Sequence, residues 1–94
     1  MADPVQAPID ELRKAVALAQ SGDWQAAHLI AQDYDGDPIA NWIHGIVHRM
    51  EGDVSNASYW YERCGRELRK EVSTAQELGE IAKELGSRAR GERS

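Results

Sequence analysis

His44 and His48 lie four residues apart in a stretch with helical periodicity, so one helix face can present two imidazoles to a single metal ion. A third ligand could come from Glu51 on the same face or from His28 in the preceding helix. A divalent ion such as zinc is the cofactor this set would take, and no other cofactor is implied. Gly45 follows the first histidine, so the glutamate that metalloproteases of the H-E-x-x-H kind use as a general base is missing. Structural, hydrogen-bonded histidines are the favoured account, and the metal site is the alternative.

Tyr59, Trp60 and Tyr61 follow one another on a second helix and must point in three directions. Trp60 and Tyr61 fit its apolar face, whereas Tyr59 falls on the far side with Arg63 one turn on. An exposed aromatic beside an arginine is typical of binding hot spots. With Trp42 and Asn56, these residues (Tyr59, Trp60, Tyr61, Arg63) form the candidate set for a ligand or protein partner. Cys64 next to Gly65 reads as a small core thiol. Using it as a nucleophile with His44 or His48 would require a third group to orient the base. Asp33, Asp35 and Asp37 surround Gly36, but the glycine comes too early for a calcium loop and no glutamate closes it; a capped acidic turn fits better. Arg49, Glu51 and Asp53 are expected to form a surface ion network.

The elements that must position these groups are all helices. Gly22-Asp23-Trp24-Gln25-Ala26-Ala27 reappears thirty residues later as Gly52-Asp53-Val54-Ser55-Asn56-Ala57. In each copy glycine frees the backbone to end one helix, aspartate caps the next, and alanine permits close helix approach. The periodicity predicts helices over 8–20 (Leu12, Ala15, Val16 and Ala19 inward), 24–34 (Trp24, Ala27, Ile30, Ala31 and Tyr34) and 38–50. In the third, Pro38 follows an Asp37 cap and Ile39, Ile43, Ile46 and Met50 form the stripe. A fourth runs over 54–66 (Val54, Ala57, Trp60, Tyr61, Cys64, with Leu68 beyond). A fifth begins at a Ser73/Gln76 capping box and ends at Gly86, with Ala75, Leu78, Ile81, Ala82 and Leu85 inward. Residues 1–7 and 87–94 are expected to be flexible.

The second unit, Asn41 to Cys64, resembles a tetratricopeptide or Sel1-like repeat. Gly45 matches the small residue of the first repeat helix, Ala57 that of the second, Tyr61 its aromatic and Cys64 the following small position. The first unit fits through Ala15, Gly22, Ala27 and Tyr34. The resemblance implies an all-α fold of two helix–turn–helix repeats with a C-terminal capping helix over 73–86, and a role in protein interaction. The period is thirty residues rather than the usual ~34, and His44 and His48 occupy positions usually filled by Leu and Tyr. The second unit also resembles a family of small microbial proteins to which no function is attached, through Trp42, His44, His48, Arg49, Glu51, Gly52, Asp53, Asn56, Ala57, Tyr59, Trp60, Tyr61 and Arg63. Two placements of the histidines compete. Angular position alone turns Asn41, His44, His48 and Glu51 to solvent, opposite the isoleucine stripe. The repeat register instead packs the histidines against the fourth helix, near Ala57, Tyr61 and Cys64.

The 94 residues suit one domain, with a net charge of −5. The acidic balance lies in the first 64 residues, and the basic tail of Arg88, Arg90 and Arg93 is short. Neither favours nucleic acid. No apolar run is long enough for a membrane span. Met1-Ala2-Asp3-Pro4 does not read as a secretion signal, and a single cysteine fits a reducing compartment, so cytoplasm is expected. The leading expectation is a non-enzymatic interaction module that self-associates as a homodimer. The alternative is a small metal- or ligand-binding protein, or an enzyme, built on His28, His44, His48 and Glu51.

Overall fold

The computed structural model describes residues 7–89, the last two as backbone only. Five helices and no strand occur among them: α1 (Ile9–Gln20), α2 (Trp24–Gln32), α3 (Pro38–Met50), α4 (Val54–Arg63) and α5 (Thr74–Ala89). The chain is all-α, as expected.

The repeated Gly–Asp corners have the same construction. Gly22 and Gly52 take positive φ values of 94° and 90°, open to glycine without steric cost. At the first corner the Asp23 N–H donates to Leu18 O (2.9 Å) and the Gly22 N–H to Ala19 O (2.9 Å). At the second, Asp53 N–H donates to His48 O (2.9 Å) and Gly52 N–H to Arg49 O (3.0 Å). Both close the helix with a Schellman motif. The side chains of Asp23 and Asp53 then accept from Ala26 N–H and Asn56 N–H, capping α2 and α4. A third copy ends α4: Gly65 has φ 74°, and the Arg66 N–H donates to Tyr61 O at 2.9 Å. This glycine stops α4 at Arg63, three residues before the expected end.

Helix α3 lies between its neighbours. It packs against α2, α4 and α5, and more lightly against α1. Every residue from Ile39 to His48 is buried. Asp37 is buried as well; one carboxylate oxygen accepts from the N–H groups of Ile39 (2.8 Å) and Ala40 (3.0 Å), and the other from Ala7 N–H (2.9 Å). Ala7 is thus pinned into the core instead of belonging to a flexible end; residues 1–6 and 90–94 lie outside the described residues. Gly45 in mid-α3 lets Tyr61 of α4 cross at close range. A β-carbon there would sit 2.4 Å from the Tyr61 ring.

Helix α5 opens with the expected capping box: Gln76 N–H donates to Ser73 Oγ (3.0 Å), and the Gln76 side-chain oxygen accepts from Ser73 N–H (3.2 Å). It buries Leu78, Ile81 and Leu85 against α1 and α3 and continues through Gly86 to Ala89, contrary to the expected stop. Ala75 and Ala82 face outward, because the buried stripe is centred on Leu78, Ile81 and Leu85 and includes Glu77. Helix α2 ends at Gln32, with Ala27 and Ala31 buried and Trp24, Ile30 and Tyr34 half-buried. Val54, at the first position of α4, is 48% exposed rather than inward.

Candidate metal centre

Two residues of α3 and one of α2 form the site. His44 and His48 project from successive turns of α3, and His28 comes from the middle of α2, the helix packed on that side. The His28 ring meets His44 edge-on at 4.5 Å between centroids and His48 at 5.2 Å, while the His44 and His48 rings lie nearly parallel at 5.0 Å. One nitrogen from each of the three falls within 4.8 Å of the others. Zinc bonds imidazole at ~2.0–2.1 Å, which places tetrahedral nitrogens about 3.3 Å apart. The present spacing therefore exceeds a closed site by at most about 1.5 Å, within reach of small side-chain rotations. His28 is half-buried and can make that movement from the rim.

Helix α4 supplies the cover. Trp60 stacks on His44 with centroids 3.8 Å apart and planes 11° from parallel. Arg63 lies over the Trp60 ring at 5.1 Å and pairs with Asp35 at 2.8 Å, tying the end of α4 to the α2–α3 turn. The histidines are therefore not turned to solvent: His44 and His48 are 4% and 8% exposed. Periodicity within α3 could not reveal this, since it reports only where the strongest apolar stripe lies. His44 does pack on α4, but through Trp60, whereas Tyr61 lies on the opposite flank of α3 and His48 meets His28 of α2.

Burial and company fix the protonation of His28 and His44. Burial first, then the neighbouring His28 and His48, push His44 down to about 3. Burial and His48 likewise lower His28, against a smaller upward pull from Glu51. Both imidazoles are neutral at neutral pH, the form that ligates metal. Nδ1 of His44 and Oδ1 of Asn41, one turn earlier on the same face, are buried without any hydrogen-bond partner among the described residues. Unpaired buried polar atoms are rare in folded proteins and call for a reason.

The other candidates separate into three groups. Trp42 and Tyr61 face the interior on the opposite flank of α3, where both donate to the buried carboxylate of Glu77, at 3.1 and 2.5 Å. Arg49 joins them at 2.5 Å and also donates to Val72 O at 2.7 Å, so it does not form the expected surface network with Glu51 and Asp53. Burial and the Glu77 contact raise the Tyr61 pKa and keep its phenol protonated. Glu77 was not among the sequence candidates. Its available signal was position: it lies one residue before Leu78 and four before Ile81, on the inward side of α5.

Tyr59 is 52% exposed, with Arg63 5.7 Å from its ring, and forms the outer patch with half-buried Trp60. Asn56 stays beside its capping aspartate, 3.5 Å from Asp53 Oδ2. Cys64 is half-buried, with its thiol donating to Tyr61 O at 3.4 Å, and burial raises its pKa. Glu51 contacts His48 Nδ1. The surface cleft of about 310 Å³ at Arg66, Arg69 and Glu80 lies away from the histidines.

The chain matches no known protein-family profile, no curated protein and no solved structure. Geometry alone defines the class: an all-α domain with a three-histidine cluster, two members buried and one half-buried, between its second and third helices.

Proposed function

We propose that this protein binds a single divalent transition-metal ion, with zinc the best fit, through His28, His44 and His48. The observation that carries the reading is the convergence of three imidazole nitrogens from two helices within 4.8 Å. An all-nitrogen set of this kind suits zinc, copper and nickel and disfavours magnesium or calcium, which prefer oxygen ligands. Titration calorimetry with zinc on untagged protein tests it. One ion per chain is expected in the wild type, with the heat lost in His28→Ala, a half-buried position whose truncation spares the core. Binding that survives His28→Ala, or no binding at all, contradicts the reading.

A second reading, protein interaction including pairing of two copies, draws on Leu29, Val54 and Tyr59. These large apolar side chains are 60, 48 and 52% exposed and lie on α2 and α4, the helices flanking α3. The tetratricopeptide-like resemblance supports the same role. Sedimentation across micromolar concentrations tests self-association, and a monomer throughout removes it. No helix among the described residues is long and apolar enough to cross a membrane. A cytoplasmic setting, where Cys64 stays a thiol, is part of this proposal.

A further inference from the structure

We infer that Glu51 is the outer-sphere carboxylate of the three-histidine site: it holds His48 by Nδ1 so that Nε2 faces the ion, and it does not itself ligate. This assignment rests on the metal-binding reading above.

The geometry separates the two roles. A histidine has two ring nitrogens, and the hydrogen bond made by one decides which remains for the metal. Glu51 lies one turn after His48 at the end of α3, and its carboxylate contacts His48 Nδ1 directly. With Nδ1 engaged, Nε2 remains for the cluster with His28 and His44. A carboxylate accepting the distal N–H of a ligating histidine fixes the tautomer and the ring orientation and raises ligand basicity. On His44 the unpaired buried Nδ1 is itself the atom left open to the ion. The His44 ring is oriented instead by the Trp60 ring stacked on it. Each buried ligand of α3 thus has one holding contact, a carboxylate for His48 and an indole for His44.

A rival arrangement uses the same carboxylate as a ligand. His48, Glu51 and Asp53 also bring three donor atoms within 4.8 Å of one another. That grouping is exposed at two of its three members, and Asp53 is engaged at both oxygens with Asn56, one of them as the cap of α4. An ion there would also have to displace the Glu51 contact from Nδ1. The buried grouping makes neither demand.

Cobalt(II) serves as the probe, because its visible d–d spectrum reports ligand number and geometry. The proteins to compare are wild type, Glu51→Ala, Glu51→Gln and His28→Ala, each with apo thermal stability measured in parallel. The assignment expects Glu51→Ala to weaken cobalt affinity roughly 10- to 100-fold while the spectrum at saturation keeps the wild-type shape and intensity. Glu51→Gln, which retains an acceptor oxygen for Nδ1, recovers part of the lost affinity. Apo melting temperatures stay close to wild type, since residue 51 is at the surface. An altered saturated spectrum in Glu51→Ala makes Glu51 a ligand and overturns the assignment, as does an unchanged affinity. Cobalt binding that is abolished in Glu51→Ala yet intact in His28→Ala places the ion in the rival grouping and overturns both proposals. A wild type that binds no cobalt or zinc refutes the metal reading and the Glu51 role together.

Discussion

Helix α3 carries polar groups into the interior on two flanks, and the two are finished differently. On one, Trp42 and Arg49 meet Tyr61 of α4 around the Glu77 carboxylate of α5, where each of the three donors finds an acceptor oxygen. On the other, His44 and His48 meet His28, Trp60 stacks on His44, and two buried atoms, Asn41 Oδ1 and His44 Nδ1, have no partner. Both flanks incur the cost of burying polar groups, but only the first offsets it within the fold. The satisfied network joins α3, α4 and α5 and is structural. The unsatisfied one is where an external ligand has hydrogen-bonding and coordinating capacity to use. A fully paired polar core needs nothing from outside; an incompletely paired one points to its missing partner.

The contrast can be broken most forcefully at Glu77. Glu77→Ala leaves buried Trp42 and Tyr61 without their acceptor and half-buried Arg49 with only Val72 O, and urea unfolding should show a loss of about 3–5 kcal/mol. A loss below about 1 kcal/mol would mean that the network contributes no more than a surface pair. Next comes Gly45→Ala, which drives a methyl into the Tyr61 ring between the two flanks. About 1–3 kcal/mol of overpacking is expected in the same assay, and a neutral result would show that Tyr61 can move away from α3.

Acid sharpens the comparison from the histidine side. An unfolded histidine titrates near 6.5, whereas His44 in the fold titrates at about 3. Between these values the unfolded chain binds a proton that the folded chain does not, so stability increases with pH. The contribution is complete above about pH 6.5 and declines as the pH falls toward 3, at about 1.4 kcal/mol per pH unit for His44. Melting temperatures measured from pH 7.5 to 4.5 should follow this slope, and His44→Gln should flatten it between 6.5 and 5. Equal slopes in both proteins would remove His44 from the account. The smallest effect belongs to the strap over Trp60. Arg63→Ala breaks a solvent-exposed ion pair and should shift the melting temperature by no more than about 5 °C.

The corners were legible in the sequence because their causes are local. Gly22-Asp23 and Gly52-Asp53 carry the positive-φ residue and the capping carboxylate within the motif itself, and Asp37-Pro38 and Ser73/Gln76 announce their helices in the same way. Gly65 could have been read too, since it stops α4 by the same Schellman geometry, but no aspartate follows it to complete the pattern. Long-range contacts left weaker traces. Glu77 is a charged residue on an inward stripe, and composition assigns such a residue to the surface until Trp42, Tyr61 and Arg49 are known to converge on it from 16 to 35 residues away. The candidate histidines were legible as residue types. That His28 is the residue that meets His44 and His48, while Glu51 contacts His48 Nδ1, depends on how α2 packs against α3.

The central claim is that the incompletely paired flank, and not the Glu77 flank, receives an ion. Zinc titration followed by nuclear magnetic resonance of the side chains tests it within one sample. Imidazole resonances of His28, His44 and His48 should move together to a one-to-one endpoint. The Trp60 indole N–H should move with them because its ring rests on His44, while the Trp42 indole N–H, donated to Glu77, stays in place. Imidazole signals unmoved by excess zinc, or a Trp42 signal that shifts as far as that of Trp60, would contradict it.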